Sequence, residues 1–379
     1  MGVIKGGAGW SVAGLDFLRF ALALTVTVGH LSQHYFQATW PNLDAFSAYA
    51  VGGFFVLSGY TIRAITQRSD GFAVDLFLTD RASRLLSVSV LALLLTIVAD
   101  VMSYWMAPSF YTSQFGQTTS MPFTRIVLNL LLVSQLYGQD VSPFSNSPFW
   151  SLSYEAGFYA IWAAWMYWRR AGGSVLVLGV TLIFFGPNIV ALLPFWLLGV
   201  LLYDIGRMSV QARRRVVILA CLLGLLAGIA FSFYGTLSLD AVKYVKVCLK
   251  EAIAMLFGLM QLDSARVTVG IMAGAISFFC VLIPVLFFAD RLSVEYAVPK
   301  SVSALARRLG ELTFPLYLIH FPLLVLARAS NLLDFDTNFV KVGLVMVLVF
   351  MADACVPMTT KLKDWMRSKM RGPWRLATR

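Results

Sequence analysis

The residues best suited to chemistry lie in the first apolar stretch of the chain. Asp16, Arg19 and His30 interrupt a segment that is otherwise apolar enough to cross a bilayer. Arg19 and His30 are eleven residues apart. A helix returns them to nearly the same face, about 16 Å apart along the axis. Ionisable groups inside a membrane normally face protein or a water-filled cavity. This row of ionisable residues on one helix face therefore predicts proton transfer or nucleophilic chemistry at His30.

A structural alternative exists for this histidine. A lone membrane histidine commonly forms an interhelical hydrogen bond. For His30 the aspartate and arginine on the same face favour a functional role. His34 follows one turn later and is expected to be a solvated residue at the helix end.

Two arginines three residues apart, Arg81 and Arg84, open another apolar segment. They share one helix face, and planar guanidinium groups bind phosphate oxygens in pairs, so they could clamp a diphosphate. An ordinary positive-inside anchor explains the same pair. Arg63 ends the preceding segment and is either a further phosphate ligand or a cation that snorkels to lipid headgroups. The glycines of that segment, including Gly52 and Gly59, permit close helix packing.

Glu155 lies about one turn inside a further apolar segment that begins near Trp150. A carboxylate there must be paired, protonated or near water. It could orient a histidine or hold a sugar hydroxyl, or it could be the structural partner of an arginine on a neighbouring helix.

Tyr317 and His320 share a face of a late segment that contains Pro315 and Pro322. The prolines interrupt the helical hydrogen bonds and leave carbonyl groups free. A kinked packing helix whose polar groups are satisfied by neighbours is the alternative to a binding role.

The elements that must position these residues are membrane helices. Of 379 residues, 59% are hydrophobic and 13% charged, and long apolar runs recur throughout. This pattern predicts an all-α polytopic membrane protein and excludes a β-barrel, which would show short alternating segments. We expect about ten transmembrane helices plus one or two re-entrant or interfacial segments. The apolar segments of spanning length lie at about 13–36, 46–66, 84–106, 148–168, 188–205, 215–234, 267–289, 309–328 and 338–358. Three further candidate segments lie at 122–138, 173–187 and 243–262.

The charge pattern predicts the topology. Lys and Arg outnumber Asp and Glu by 30 to 19, and they cluster between the apolar runs, which is typical of cytoplasmic loops. These clusters share one side if 173–187 crosses the membrane while 122–138 and 243–262 do not. Both termini are then cytoplasmic. The pattern predicts no nucleic-acid partner, and the four cysteines show neither metal-ligand spacing nor a disulfide framework. We expect a single membrane domain over 1–379, with no appended soluble domain and no metal.

Five motifs occur in the same order along most of the chain and together carry a resemblance. They are Arg19 with His30, Phe54-Phe55-Val56-Leu57-Ser58-Gly59-Tyr60, Arg81 with Arg84, Trp150 to Tyr159 around Glu155, and Tyr317-Leu318-Ile319-His320. The sequence resembles the acyltransferase-3 family of integral-membrane O-acyltransferases. Two features depart from the family: Ser87 stands where a proline usually follows the arginine pair, and we expect no periplasmic hydrolase-like domain of the kind that many members carry.

The resemblance implies transfer of an acyl group, usually acetyl, from cytoplasmic acyl-coenzyme A to a hydroxyl of a carbohydrate or glycan. O-acetylation of a cell-envelope polysaccharide at a bacterial inner membrane is the expected setting. The residue matched by His30 is held to be essential in the family, and those matched by Arg19, Arg81 and Arg84 are tied to donor binding or catalysis.

Together the patterns and the resemblance predict three groups of site residues. The catalytic group is His30, Arg19 and Glu155; the donor-binding group is Arg81, Arg84 and Arg63; the acceptor-binding group is Tyr317, His320, Asp16 and Trp150. His30 acts either as a general base or as a transient acyl carrier. A secondary transporter or a flippase of a lipid-linked glycan is the alternative function, although no inverted repeat is visible. A sensor or assembly subunit with a relict site is a third.

Overall fold

The structure, a computed structural model, describes residues 10–33, 36, 43–67, 73–220, 222, 265–331 and 337–377. Within these ranges the regular elements are all helical. Seven helices there are long and apolar enough to cross a membrane. The prediction of an all-α polytopic membrane protein is confirmed. The count of about ten spans is not confirmed. The predicted segment 243–262 and most of 215–234 lie outside the described residues.

The helices follow the apolar pattern closely. Their bounds are α1 Trp10–Leu31, α2 Asp44–Gln67, α3 Val74–Met106, α4 Pro108–Phe115, α5 Pro122–Leu130, α6 Trp150–Arg170, α7 Val175–Gly206, α8 210–220, α9 Ala265–Glu295, α10 Lys300–Ala329 and α11 Asn338–Ala377. Short 3-10 turns lie at Gly116–Thr119, Leu136–Gly138 and Ser147–Phe149.

The structure bears on two of the three further candidate segments. The stretch 122–138 contains the nine-residue helix α5, which is far shorter than the roughly 20 residues that a span needs. The stretches 173–187 and 188–205 form one helix, α7, that is broken at Gly186. Gly186 has φ 76° and ψ 175°, a backbone conformation that essentially only glycine adopts. α7 therefore consists of two helical parts that meet at a kink at Gly186, where two separate spans were expected.

The described residues form two compact units that alternate along the chain. The first unit comprises the described parts of 1–18, 48–68 and 191–307, and the second those of 19–47, 69–190 and 308–379. Since α1 contributes to both, Asp16 belongs to the first unit, whereas Arg19 and His30 belong to the second.

Glycines hold the helices of the first unit together. A Cβ atom on Gly59 would lie 2.1 Å from the carbonyl oxygen of Trp196 in α7, and one on Gly199 would lie 1.9 Å from that of Val56 in α2. Two turns earlier on α2, a Cβ atom on Gly52 would lie 2.2 Å from the Ile271 oxygen of α9. Real side-chain atoms do not approach backbone so closely. The predicted close packing of this glycine-containing segment is confirmed.

In the second unit, α3 packs along α6 and α11. Near the start of α3, Asp80 accepts hydrogen bonds from Arg367 Nε at 2.7 Å and from Arg371 Nη2 at 2.6 Å. These contacts fasten the end of α11 beside the arginine pair of α3.

Candidate functional site

Two histidines meet in the second unit. His30 comes from the end of α1 and His320 from the middle of α10, and His30 Nδ1 lies 3.1 Å from His320 Nε2. The other nitrogen of His320, Nδ1, lies 3.1 Å from the backbone carbonyl oxygen of Leu316. A carbonyl oxygen only accepts hydrogen bonds, so His320 Nδ1 carries a proton.

The two rings differ in exposure. His320 has no accessible surface, whereas His30 is half-buried. Aromatic rings surround the pair. Phe321 stands edge-on to His30 with ring centroids 5.3 Å apart, and it also contacts Phe36 and Phe115. Of the two histidines, only His30 keeps accessible surface.

A proline in α10 frees a backbone carbonyl group that the loop before α6 binds. Pro322 has no N–H group and leaves the carbonyl oxygen of Leu318, four residues earlier, without its helical donor. The Asn146 amide donates to that oxygen at 2.8 Å and to Thr96 Oγ1 at 2.9 Å. Asn146 is fully buried. The loop before α6 is thereby joined to α3 and to the helix that carries His320.

Asp100 of α3 binds the same loop at Ser145, the residue that precedes Asn146. Its carboxylate accepts hydrogen bonds from the Ser145 backbone N–H at 2.9 Å and from the Ser145 hydroxyl at 2.6 Å. Tyr111 in α4 donates a third. Burial and the neighbouring Asp100 carboxylate raise the pKa of the Tyr111 phenol, so it stays protonated as a donor. The polar cluster fixes the backbone on which Asn146 stands.

A second cluster surrounds the arginine pair. Arg81 is half-buried, Arg84 is exposed, and both lie within electrostatic reach of the Tyr159 phenol on α6. Tyr159 donates a hydrogen bond to Glu155, whose charge also acts on Arg81. Within the described part of the chain, the buried Nε–H of Arg81 has no hydrogen-bond partner.

Tyr317 connects the two clusters. Its hydroxyl donates to the Pro148 carbonyl oxygen at 3.3 Å, and the Glu155 charge acts on the phenol. The Tyr317 ring lies 6.2 Å from the ring of His320. A continuous series of polar side chains thus runs from the arginine pair to the histidine pair within one unit.

Comparison with known proteins shows the family of the chain. The acyltransferase domain of the acyltransferase-3 family matches residues 12–352, nearly the whole chain. The chain belongs to the acyltransferase-3 family. No curated protein and no solved structure matches it. The chain is thus an integral-membrane acyltransferase, as the resemblance implied.

The remaining predicted site residues of this acyltransferase lie in several places. Arg19 lies on α1 in the same unit as His30, and Trp150 packs edge-on against Tyr154 at 5.2 Å at the start of α6. Asp16 and Arg63 belong to the first unit. Arg63 Nε forms an ion pair with Asp204 at 2.9 Å, so its guanidinium already has a carboxylate partner. His34 lies outside the described residues.

The sequence analysis missed Asp100, Ser145 and Asn146. A signal for Asp100 was present, because it is an acidic residue inside an apolar segment, as Glu155 is. Ser145 and Asn146 lie in a loop between two Ser-Pro-Phe triplets, and neither periodicity nor spacing shows which helix the loop contacts. Among the described residues, no group of three or more metal-ligating side chains forms a cluster.

Proposed function

We propose that this acyltransferase moves an acyl group, most simply acetyl, from cytoplasmic acyl-coenzyme A to a hydroxyl group of a carbohydrate or glycan acceptor. The observation that carries the proposal is the half-buried His30, hydrogen bonded to a second histidine and linked through polar side chains to an arginine cluster. The imidazole supplies a base, and the arginines supply a site for a phosphorylated donor.

The donor's phosphate groups bind at Arg81 and Arg84 in this proposal. The buried Nε–H of Arg81 has hydrogen-bonding capacity left among the described residues, which suits a phosphate oxygen. Arg367 and Arg371 lie next to the pair through Asp80 and add positive charge. The positive-inside pattern supports a cytoplasmic location for this cluster, on the side where acyl-coenzyme A is found.

The reaction takes place at Nε2 of His30, the ring nitrogen that does not face His320. The acceptor oxygen attacks the thioester carbonyl carbon while the imidazole takes the hydroxyl proton. The C–S bond then breaks, and the same proton passes to the departing sulfur, so the products are an ester and a free thiol. The alternative order forms an acyl-imidazole on His30 first and then transfers the acyl group to the acceptor. Arg19 stabilises developing negative charge or donor phosphate.

The acceptor binds on the Tyr317 and Trp150 side of the pair. Tyr317 carries a hydroxyl group near Glu155, and the aromatic face of Trp150 suits stacking on a sugar ring. Asp16 and Arg63 belong to the other unit, and their predicted roles in acceptor and donor binding do not enter this mechanism.

Purified protein and acetyl-coenzyme A with a radiolabelled acetyl group test the proposal. Wild-type protein should release free thiol and transfer label to an acceptor glycan. His30→Ala should lose turnover by about 10²–10⁴-fold, the usual contribution of a general base, while still binding the donor. Arg81→Ala should instead raise the donor KM, with a smaller change in kcat. Full acylation by His30→Ala would refute the catalytic assignment.

The acceptor is identified by mass spectrometry of surface glycans from cells with and without the gene. Loss of O-acetyl groups in the deletion strain, restored by wild type but not by His30→Ala, supports a glycan acceptor. A transporter or flippase would instead leave glycans unexported but normally acetylated, and the purified protein would not consume acetyl-coenzyme A.

A further inference from the structure

The contact between His320 and the Leu316 carbonyl oxygen determines which of the two histidines donates the hydrogen bond between them. The carbonyl of Leu316 accepts from His320 Nδ1, so that nitrogen holds the ring proton. With both rings neutral, His320 Nε2 carries a lone pair and can only accept. His30 Nδ1, 3.1 Å away, must then be the donor. The proton on one nitrogen of a histidine decides what the other nitrogen can do.

We infer that His320 is a positioning residue that holds His30 in the tautomer with its proton on Nδ1, leaving a lone pair on Nε2 for the reaction. This inference rests on the proposed function and deepens it. It also assigns His320 a role different from the acceptor binding predicted from the sequence. His320 has no accessible surface, so it acts through His30 and does not touch the acceptor.

The arrangement serves both halves of the reaction. In the first half, Nε2 of His30 takes the acceptor proton, and the ring becomes positively charged. The Nδ1–H group stays hydrogen bonded to the lone pair of His320 Nε2, which stabilises that charge. In the second half, Nε2 returns the proton to the departing sulfur, and the ring resumes its starting tautomer. No proton moves between the two histidines in this cycle.

Contacts around His320 hold both imidazole rings in one orientation. The ring is held by a carbonyl of its own helix one turn earlier, and the adjacent turn is attached to Asn146 through the Leu318 carbonyl. Phe321 packs against His30 and limits rotation of its ring. The first two contacts hold the His320 ring, and the third holds the His30 ring, so the two facing nitrogens keep their relative position.

The test uses nitrogen NMR of protein labelled only at histidine, which is practical because the chain has three histidines. Wild-type protein should show His30 protonated at Nδ1 and unprotonated at Nε2. His320→Gln offers an amide oxygen near the position of Nε2 and should keep that tautomer and most of the turnover. His320→Leu has no acceptor and should shift His30 toward the other tautomer, with kcat lowered by about 10²-fold or more and donor KM nearly unchanged.

A matched control separates positioning from packing. Leu324→Ala removes side-chain volume one turn further along the same helix, at a residue that is also fully buried. It should lower thermal stability without changing the His30 tautomer. If His320→Leu does not fold, His320→Asn, whose shorter amide does not reach His30, replaces it in the comparison.

Three results have distinct meanings. The inference is overturned if His30 is protonated at Nε2 in wild type. It is also overturned if His320→Leu leaves both the His30 tautomer and kcat unchanged. Wild-type protein with the expected spectrum but no acyl transfer overturns the proposed function and leaves the tautomer assignment standing. The expected spectrum together with loss in His320→Leu and rescue in His320→Gln supports both.

Discussion

The substitution Gly199→Ala tests the close approach of α2 and α7 in the first unit. The added Cβ atom would lie 1.9 Å from the Val56 oxygen and 2.6 Å from the Tyr60 nitrogen. Both are backbone atoms of α2, so no side-chain rotation can relieve the contact. The two helices must separate locally by about 1 Å or more, which forfeits packing along the interface.

We expect Gly199→Ala to lower the free energy of unfolding by about 1–3 kcal/mol, the usual range for overpacking a tight interface. The assay is thermal unfolding of purified protein in detergent, at fixed detergent and lipid content. The Trp196 indole, which donates to Ser58 at 3.1 Å, lies beside the contact, so its fluorescence should also report the change.

Gly179→Ala is the matched control for this experiment. Gly179 belongs to the same helix, and a Cβ atom there would meet nothing within 4 Å. Because alanine favours helix more than glycine does, by up to about 1 kcal/mol, this variant should be as stable as wild type or slightly more so. Equal stability of the Gly199 and Gly179 variants would refute the proposed helix contact.

Three further predictions concern the second unit. Asp100→Ala leaves the Ser145 donors without their carboxylate and should cost about 2–4 kcal/mol in thermal unfolding experiments, with Asp100→Asn milder because it keeps one acceptor. Gly186→Ala places a side chain at a φ of 76° and should cost about 1–3 kcal/mol; a neutral effect would contradict the break in α7. Pro322→Ala restores a helical donor to Leu318, so Asn146→Ala should be less damaging in that background, and a double-mutant cycle with no coupling would argue against the shared carbonyl.

Much of the second unit's chemistry is visible in the sequence because helical spacing is a local property. The rule that residues three or four apart share a face is enough to group Arg81 with Arg84 and Tyr317 with His320. The close packing at Gly52 and Gly59 follows in the same way, since small residues allow backbones to approach.

The partner of His30 could not be predicted in this way. His320 lies 290 residues further along the chain, and periodicity within each helix does not tell which helices pack together. The sequence analysis named Glu155 as a residue that could orient a histidine, whereas in the structure a second imidazole lies 3.1 Å from His30. Glu155 is hydrogen bonded to Tyr159, and its charge acts on Arg81 and on Tyr317.

The number of spans is uncertain from sequence for a physical reason. Hydropathy detects apolar length, whereas a bend depends on backbone conformation. The Gly186-Pro187 pair looks like a boundary, but glycine at a positive φ lets α7 continue beyond it. A bent helix and two short spans have nearly the same composition.

The carbonyl released by Pro322 has a consequence for biogenesis. During synthesis, α10 leaves the ribosome with an internal polar group that its own backbone does not satisfy, and its donor, Asn146, belongs to a loop made well over a hundred residues earlier. Lipid offers no substitute donor. Burial of the late helix in the bilayer therefore costs less free energy once that loop has docked on α3 and can supply the donor.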